Sequence, residues 1–524
     1  MANEKHITLD DIYKSIKKHD EQILNNFNSN INDDDYFFNA INFDIFSNIL
    51  SIIINIKMNN IESIGVDNNC RAILEAFLIL KMRAKDEINN DQLKVFRNNY
   101  KIVDYYNLTE IYGETVYQKF PEKKREYDEA IEEVCKIYNI DKSKLKEKII
   151  SDPNLYLNKK YNKQPISFAK LMNEYKIFDE DDKKAYSFFS INIHPSCEIN
   201  ENIRNINLLL KEELVKWILN ISVHYMNECK LFVFDDKISS FNEDISNPIL
   251  NNNIKSIEDV KQMFDSIIKK TCVFEDGIDG YSLNYFRMLK HAFVDLLIHQ
   301  SLGYCEQVTN KFKSIIEYIA IHALINSKEK KEFYILREMY LFSSRLQYSC
   351  YYKEFGIEES LIDEKVMKSH YDNYYKNKYD IDSFEQFKCK LEKNSRYFIA
   401  EKNNSYKKIV NDFINEHFSN TIYKDELKLL YLISLDSEHA GGYIYNSNNG
   451  LWELMPHIVV DSLFTYLRYL LLNIELSSED ENINIKFDNE YKLIEVMQYN
   501  AKYNIKKCSE KYSSLFKDKY KNII

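Results

Sequence analysis

Glycine and proline are scarce in this chain, with 9 glycines and 6 prolines among 524 residues. Tight β-hairpins depend on the turn chemistry of these residues, so their scarcity excludes sandwiches and barrels built from many short strands. Hydrophobic residues make up 45% of the sequence and aromatic residues 14%, enough to fill a large core. The composition therefore predicts an all-α fold.

An excess of positive charge is also missing. The chain has 70 Lys and Arg against 81 Asp and Glu, which gives a net charge of −11 and an isoelectric point near 5.7. This balance excludes a surface that coats nucleic acid through its overall charge. The net charge does not exclude a local basic groove.

Cysteine pairs and long apolar runs are absent as well. The nine cysteines are scattered without a Cys-x-x-Cys pair, which argues against a zinc knuckle or a disulfide framework and fits a reducing cytoplasm. The longest apolar run, 49–56, is far shorter than the roughly 20 residues that span a bilayer. The first residues lack the apolar core of a signal peptide. We expect a soluble cytoplasmic protein with no membrane segment.

Motifs of cofactor chemistry are missing too. The sequence contains no G-x-x-x-x-G-K-[ST], no G-x-G-x-x-G and no H-E-x-x-H, which argues against a nucleotide cofactor. Asp436, Glu438 and His439 are possible metal ligands, but the matching segment 190–194 has no carboxylate, so a helical di-metal site is not expected. We expect neither a metal nor a cofactor.

Helix starts are marked by capping-box patterns at Thr8, Ser256 and Ser383, each three residues ahead of a carboxylate or amide. Apolar residues then recur at spacings of three and four, the pattern of a helix that buries one face. In the first half of the chain this pattern predicts helices at 39–58, 60–84, 91–111, 179–193 and 201–229.

One segment of the chain is echoed in its second half. Residues 186–194 match 431–439 at an offset of 245, and residues 71–75 match 313–317 at an offset of 242. Such a small drift is typical of an old duplication, whereas amphipathic helices can also match by chance. The sequence predicts two tandem helical-bundle repeats plus a C-terminal helix.

The predicted domain limits follow from this repeat. Residues 236–255 lie in a stretch rich in Asp, Asn and Ser with little periodicity, which is typical of a connector. The predicted units are a first helical bundle at 1–235, a linker at 236–255, a second bundle at 256–476, and a polar stretch with a basic helix at 477–524.

Three polar side chains lie four residues apart, so a helix places Tyr186, Ser190 and His194 on one strip of its surface. Pro195 ends this helix and leaves His194 at its C-terminus, where the helix dipole favours a protonated imidazole. Such a histidine is suited to general acid–base chemistry.

Arg71 and Glu75 are four residues apart on an earlier predicted helix and are expected to face that strip. An alternative is a buried hydrogen-bonded network that only fixes how the helices pack. The candidate catalytic residues are His194, Arg71, Glu75, Tyr186 and Ser190.

The second copy has a different set of residues at these positions. Its counterparts are Lys313, Glu317, Tyr431 and His439, and Leu435 replaces Ser190. Because lysine cannot reproduce the planar fork of arginine, any activity is expected from the first copy. The second copy would then be structural or dimerising.

The end of the chain interleaves lysines with tyrosines and a phenylalanine, a combination that can track a nucleic-acid backbone and stack bases. The weak nucleic-acid-binding candidates are Lys506, Lys507, Lys511 and Lys517. The alternative is an amphipathic helix whose aromatic side chains dock on the bundle.

The motifs Arg71-x-x-x-Glu75 and Tyr186-x-x-x-Ser190-x-x-x-His194-Pro-Ser resemble those of a large bacterial family of all-helical proteins, itself similar to HEPN domains. The resemblance covers residues 40–230 and, more faintly, 280–475. It implies a helical bundle, often dimeric, and in many members a metal-independent ribonuclease of toxin or anti-phage systems.

The chain departs from the HEPN signature, in which a His follows an Arg after four to six intervening residues. The nearest case here is Arg287 and His291, with three intervening residues. This departure weakens the inference of nuclease activity, and the family's site is carried over only to the two motifs quoted above.

Two functions of different classes are therefore expected. In the first, the chain is a cytoplasmic protein of a prokaryotic defence or stress module that binds RNA or cleaves it without metal. His194 would then be general acid or base, and Arg71 would stabilise phosphate charge. In the second, the chain is a non-catalytic helical scaffold or sensor that forms a homodimer or holds a protein partner.

Overall fold

The computed structural model describes most of the chain, and its described residues are mainly helical. They are residues 5–26, 32–145, 155–157, 168–175, 180–192, 201–228, 238–241, 255–274, 281–329, 332–337, 339–340, 343, 346, 364–376, 381–393, 405–437, 453–480, 483–510, 519–521 and 523. The all-α prediction is confirmed for this part of the chain. The repeat and the domain limits stay predictions.

Long helices follow one another through the first half. They are α1 (Leu9–Asn26), α2 (Asp33–Lys57), α3 (Ile64–Ala84), α4 (Asn90–Tyr112), α5 (Val116–Lys119), α6 (Pro121–Tyr138), α7 (Phe168–Tyr175), α8 (Glu180–Asn192) and α9 (Glu201–Glu228), with short 3₁₀ turns at Gly113–Thr115 and Leu155–Leu157.

The second half has the same character. Its helices are α10 (Lys255–Phe274), α11 (Tyr281–Leu302), α12 (Cys305–Asn326), α13 (Glu364–His370), α14 (Phe384–Lys393), α15 (Tyr406–His417), α16 (Lys424–Ser437), α17 (Met455–Asp480) and α18 (Asp488–Ser509), with a π-helical turn at Tyr371–Tyr375. The helix α17 continues to Asp480, so the predicted polar stretch after residue 476 is at first helical.

Apolar periodicity predicted most helix limits well, and its larger errors are at helix starts. The predicted segments 91–111, 179–193 and 201–229 match α4, α8 and α9 to within one residue at either end. The helix α2 begins at Asp33, six residues before the predicted start. That first turn carries three aspartates and no apolar stripe, and the Asn32 side chain accepts a hydrogen bond from the Asp35 N–H at 2.8 Å. A cap and a favourable dipole interaction thus start this helix.

All three predicted capping-box patterns lie at helix starts, and two of them make a capping hydrogen bond. The Asp11 N–H donates to Thr8 Oγ1 at 3.2 Å, and the Gln386 N–H donates to Ser383 Oγ at 3.2 Å. The third pattern also lies at a helix start, but α10 begins at Lys255, so Ser256 is already inside the helix.

The predicted connector is not wholly irregular. Its residues Ile238–Phe241 form a strand, β2, that pairs in parallel with the strand β1, Lys5–Ile7. Residues 236–255 lack helical periodicity because part of them adds to this two-stranded sheet. Sequence analysis missed the pairing because its partner lies more than 200 residues away.

One described helix, α2, is long and apolar enough to cross a bilayer by length and composition. The count of uninterrupted apolar residues missed this property, since single polar residues divide the apolar run. However, 72% of its most apolar window is buried inside the protein, which is typical of a core helix in a soluble protein. The absence of a membrane segment stays a prediction.

The two halves of the chain share one hydrophobic cluster, which extends from Ile7 to Tyr520. At its centre, α2 and α3 pack against α11 and α12. The helices approach closely at Gly65 in the first turn of α3, where a Cβ atom would overlap Asp295 Oδ2 and would lie 2.7 Å from Lys311 Cδ. Only a glycine leaves room for these two side chains.

The substitution Gly65→Ala should destabilise the fold. In an open helix, replacing glycine by alanine stabilises by about 0.5–1 kcal/mol. Here the added methyl would displace Asp295 and Lys311, and we expect a net loss of about 1–3 kcal/mol, the usual cost of overpacking. Urea unfolding of the variant and the wild type measures the difference, and a gain in stability would contradict the close approach.

Candidate functional site

The helices α3 and α8 bring three of the predicted catalytic residues together. The Tyr186 hydroxyl donates to Glu75 Oε1 at 2.9 Å, and Arg71 Nε donates to the same oxygen at 3.0 Å. The Arg71 guanidinium also lies 6.0 Å from the centre of the Tyr186 ring. The structure thus places Arg71 and Glu75 against Tyr186, the first residue of the predicted strip.

This cluster is closed to solvent. Glu75 is 0% exposed, and Arg71 and Tyr186 are each 8% exposed. Burial and the neighbouring Glu75 charge raise the pKa of Tyr186, so its hydroxyl stays protonated and serves as a donor. The arrangement fits a buried hydrogen-bonded network.

The rest of the predicted strip is only partly described. Ser190 is half-buried, and its Oγ is buried without a hydrogen-bond partner in the structure. His194 lies outside the described residues, as does its counterpart His439. The acid–base role of His194 therefore stays a prediction.

The helices α12 and α16 repeat part of this arrangement. The Tyr431 hydroxyl donates to Glu317 Oε1 at 2.8 Å, and these two residues are 0% and 1% exposed. Lys313 is half-buried where Arg71 is buried, and Leu435 packs its half-buried side chain against the core where Ser190 stands in the first half. Both halves share the tyrosine–glutamate bond, and the groups around it differ.

The basic C-terminal residues give a mixed result. Lys506 is half-buried and Lys507 exposed at the end of α18, whereas Lys511 and Lys517 lie outside the described residues. Further on, Tyr520 is buried, and Lys519 Nζ donates to both carboxylate oxygens of the buried Glu426 on α16 at 2.5 and 2.7 Å. This contact supports the alternative in which aromatic side chains of the tail dock on the bundle.

Sequence analysis missed a second buried cluster, centred on Asp295 of α11. Asp295 Oδ1 accepts hydrogen bonds from Lys311 Nζ at 2.6 Å and Asn55 Nδ2 at 2.9 Å, and Asp295 Oδ2 accepts one from Ser63 Oγ at 2.5 Å. Lys311 Nζ also donates to Ser51 Oγ at 2.7 Å. Donors from both halves thus converge on one carboxylate.

The electrostatics of this cluster follow from its burial. Asp295, Lys311 and His299 are each 0% exposed. Burial alone would disfavour the Asp295 carboxylate, but the Lys311 ammonium and His299 hold its pKa well below its usual range. Burial and the Lys311 charge lower the pKa of His299, whose Nδ1–H donates to the Asp295 carbonyl at 2.7 Å.

A sequence signal for this cluster exists. Asp295 is the one charged residue in an apolar stretch of its helix, from Ala292 to Ile298. A charge in such a position must find a partner, because burying it alone is very costly. The partners, however, lie mostly on helices about 240 residues away.

An open cleft of about 370 Å³ lies beside this cluster. Its wall contains the cationic groups of Lys261, Arg287 and Lys290, together with His291. The other lining residues are Asn59, Asn60, Glu62, Asp265 and Ile268.

The polar contacts inside the cleft orient its histidine. His291 Nδ1–H donates to Asn60 Oδ1 at 2.8 Å, and His291 Nε2 lies 3.6 Å from Glu62 Oε1. Lys290 Nζ pairs with Asp265 at 2.6 Å, and burial lowers the pKa of Lys261. Three cations face two carboxylates, so the cleft has a small positive excess suited to an anion.

No group of three or more His, Cys, Asp or Glu side chains is placed to hold a metal ion within the described residues. Glu438 and His439, two of the three possible metal ligands in the sequence, lie outside the described residues.

The substitution Asp295→Asn should be strongly destabilising at neutral pH. It leaves the Lys311 ammonium buried without its counter-charge, which typically costs about 3–5 kcal/mol. A matched control is Asp265→Asn, which breaks an exposed pair of the same 2.6 Å length and should cost less than about 1 kcal/mol. Equal effects of the two substitutions in urea unfolding would contradict the assigned role of the buried pair.

The same variant should show a distinct pH dependence. Because the folded-state pKa of Asp295 lies below the unfolded value of about 3.9, its contribution is present above about pH 4 and is lost as the pH falls further. The stability gap between wild type and Asp295→Asn should therefore narrow below pH 4.

Comparisons with known proteins do not supply a function for these sites. No protein-family model, no curated protein and no solved structure matches this chain. The resemblance to the bacterial helical family stays a prediction, and the functional assignment rests on the contacts of the described residues.

Proposed function

We propose that the chain is a non-catalytic helical scaffold that acts through protein contacts, and that its two tyrosine–glutamate pairs are structural. The observation that carries this proposal is the buried bond itself, from Tyr186 to Glu75 in one half and from Tyr431 to Glu317 in the other. All four residues are at most 8% exposed.

The differences between the two halves support this proposal. A catalytic site would depend on the groups that face a substrate, here Arg71 and Ser190, yet their counterparts are Lys313 and Leu435. The pair common to both halves joins two helices in the core. A hydrogen bond to a buried carboxylate contributes more to stability than one between neutral groups.

Burial of the acid also argues for structure. Glu75 accepts hydrogen bonds from both Tyr186 and Arg71, so its charge is compensated by the protein itself. A substrate would have to displace these donors, and each buried group left unsatisfied costs about 1–3 kcal/mol. The cluster is thus already satisfied without a ligand.

The substitutions Tyr186→Phe and Tyr431→Phe should each destabilise the fold. Each removes one hydrogen bond to a buried carboxylate, with an expected loss of about 1.5–3 kcal/mol in the free energy of unfolding. A matched control is Tyr499→Phe, since Tyr499 is 58% exposed and its change should stay within about 0.5 kcal/mol. Chemical denaturation measures all three, and an unchanged Tyr186→Phe variant would argue against the structural role.

RNA binding is the second candidate function, and the cleft on α10 and α11 favours it. The guanidinium of Arg287 and the ammonium groups of Lys261 and Lys290 line this cleft beside His291, a combination suited to a phosphodiester. In this candidate the chain binds RNA, or cleaves it without metal, in a prokaryotic defence or stress module. The histidine that acts would be His194 on the predicted strip or His291 in the cleft.

Single-stranded RNA, in EDTA and at several salt concentrations, tests this second candidate. The double variant Lys261→Ala, Arg287→Ala should weaken binding and reduce the slope of log affinity against log salt by about 0.7 per lost phosphate contact. The control is Lys269→Ala, which removes one exposed charge from α10 outside the cleft. Wild-type protein that neither binds nor cleaves RNA would remove this candidate.

Cleavage, if present, has a further test that assigns the histidine. Loss of cleavage in His194→Ala with retention in His291→Ala would place the chemistry on the predicted strip, and the reverse would place it in the cleft. Circular dichroism of each variant checks that it is folded.

A further inference from the structure

The last two helices expose an unusual amount of apolar surface. Of the eleven large hydrophobic side chains that are exposed among the described residues, six lie on α17 and α18. They are Tyr469, Leu472 and Leu476 on α17 and Val496, Tyr499 and Tyr503 on α18, between 44% and 61% exposed. Exposed apolar residues gathered on one element are typical of an interaction site.

These six residues form two matching stripes. On each helix they stand at positions i, i+3 and i+7, the spacing that aligns side chains along one helix face. A hydrogen bond from Gln498 Nε2 to Thr465 Oγ1 at 2.8 Å and an ion pair between Arg468 and Glu495 at 3.2 Å fix the two helices side by side. In this register the α17 stripe lies toward the turn of the antiparallel hairpin, opposite the first residues of α18, and the α18 stripe lies toward its open end.

The charge of this hairpin differs between its two ends. Six of the residues 475–490 at the tip are acidic, and of these Glu479 and Asp488 are exposed, whereas Glu490 is buried and pairs with Lys270. The one lysine of the tip, Lys486, pairs with Glu479. The opposite end, residues 499–510, contains Lys502, Lys506 and Lys507 and a single glutamate. One face of the protein thus carries an apolar centre, an acidic tip and a basic base.

We propose that this face binds a second copy of the same chain, with the two hairpins antiparallel. In that arrangement a two-fold axis places the acidic tip of each hairpin against the basic base of the other, while the apolar stripes meet at the centre. A parallel arrangement would place like charges together. The surface is thus complementary to itself in one orientation only, as an isologous interface requires.

The size of the face fits a stable dimer. The 22 residues of α18 give a length of roughly 33 Å, and two adjacent helices are roughly 20 Å wide, so the flat face covers on the order of 700 Å². A standard interface buries about 800 Å² per partner. Two such hairpins would form a four-helix bundle. This inference deepens the proposed scaffold function by naming the partner and its docking surface.

Analytical ultracentrifugation of the full chain between 1 and 100 µM tests the dimer. Wild type should form a dimer, and Leu472→Glu with Tyr499→Glu should raise the dissociation constant at least 100-fold. Because both side chains are exposed, the variant should fold as the wild type does. The control is Leu209→Glu, an equally drastic change at a residue that is 63% exposed on α9 and should leave the dimer intact.

Charge exchange tests the antiparallel orientation. The variant Lys506→Glu, Lys507→Glu and the variant Glu479→Lys, Asp488→Lys should each dimerise weakly alone, because each brings like charges together at both ends. Mixed in equal amounts, they should form a heterodimer, since both ends are then complementary.

The outcomes separate this inference from the scaffold proposal. If the wild type is monomeric at 100 µM, the proposal that this face binds a second molecule of the chain is wrong. It is also wrong if the wild type binds RNA and the double variant Leu472→Glu, Tyr499→Glu does not. A dimer insensitive to the stripe variant overturns it as well. None of these results alters the unfolding measurements on Tyr186→Phe and Tyr431→Phe, which judge the structural role separately.

Discussion

The fold depends on one buried carboxylate, that of Asp295, to which both halves of the chain donate hydrogen bonds. Its donors come from Asn55 on α2, from Ser63 at the start of α3 and from Lys311 on α12. Apolar packing between helices is non-directional, whereas these bonds have fixed lengths and angles. They therefore select one relative position of four helices among the many that would bury similar apolar area.

The tyrosine–glutamate pairs apply the same principle farther from the centre. The helices α3 and α12, which contact each other across the two halves, also carry Glu75 and Glu317, and each glutamate accepts a tyrosine hydroxyl, from α8 and from α16 respectively. Each of these two helices is thus bonded both to the opposite half and to a helix of its own half. Polar contacts in the core determine which helices are neighbours, and apolar burial supplies most of the stability.

The sequence predicts what is encoded locally. Apolar periodicity gave the long helices, and the four-residue spacing of Arg71 and Glu75 placed both side chains on one helix face, since one helix turn fixes which side chains share a face. It did not give the Asp295 cluster or the pairing of β1 with β2. The bonds from Asn55 and Ser63 to Asp295, and the pairing of the two strands, join residues more than 200 positions apart, and nothing in the neighbouring sequence specifies a distant partner. Asp295 between two apolar residues showed only that some partner had to exist.

The position of Gly65 against Asp295 also has a consequence for how the chain folds during its synthesis. On a ribosome, α2 and α3 are complete long before Asp295 is made, and at about 5–20 residues per second the intervening chain takes on the order of 10–50 s. During that interval Ser51, Asn55 and Ser63 have only water as a partner for the contacts they later make to α11 and α12. The nascent first half is therefore an incomplete core, whose final packing begins only when the second half emerges.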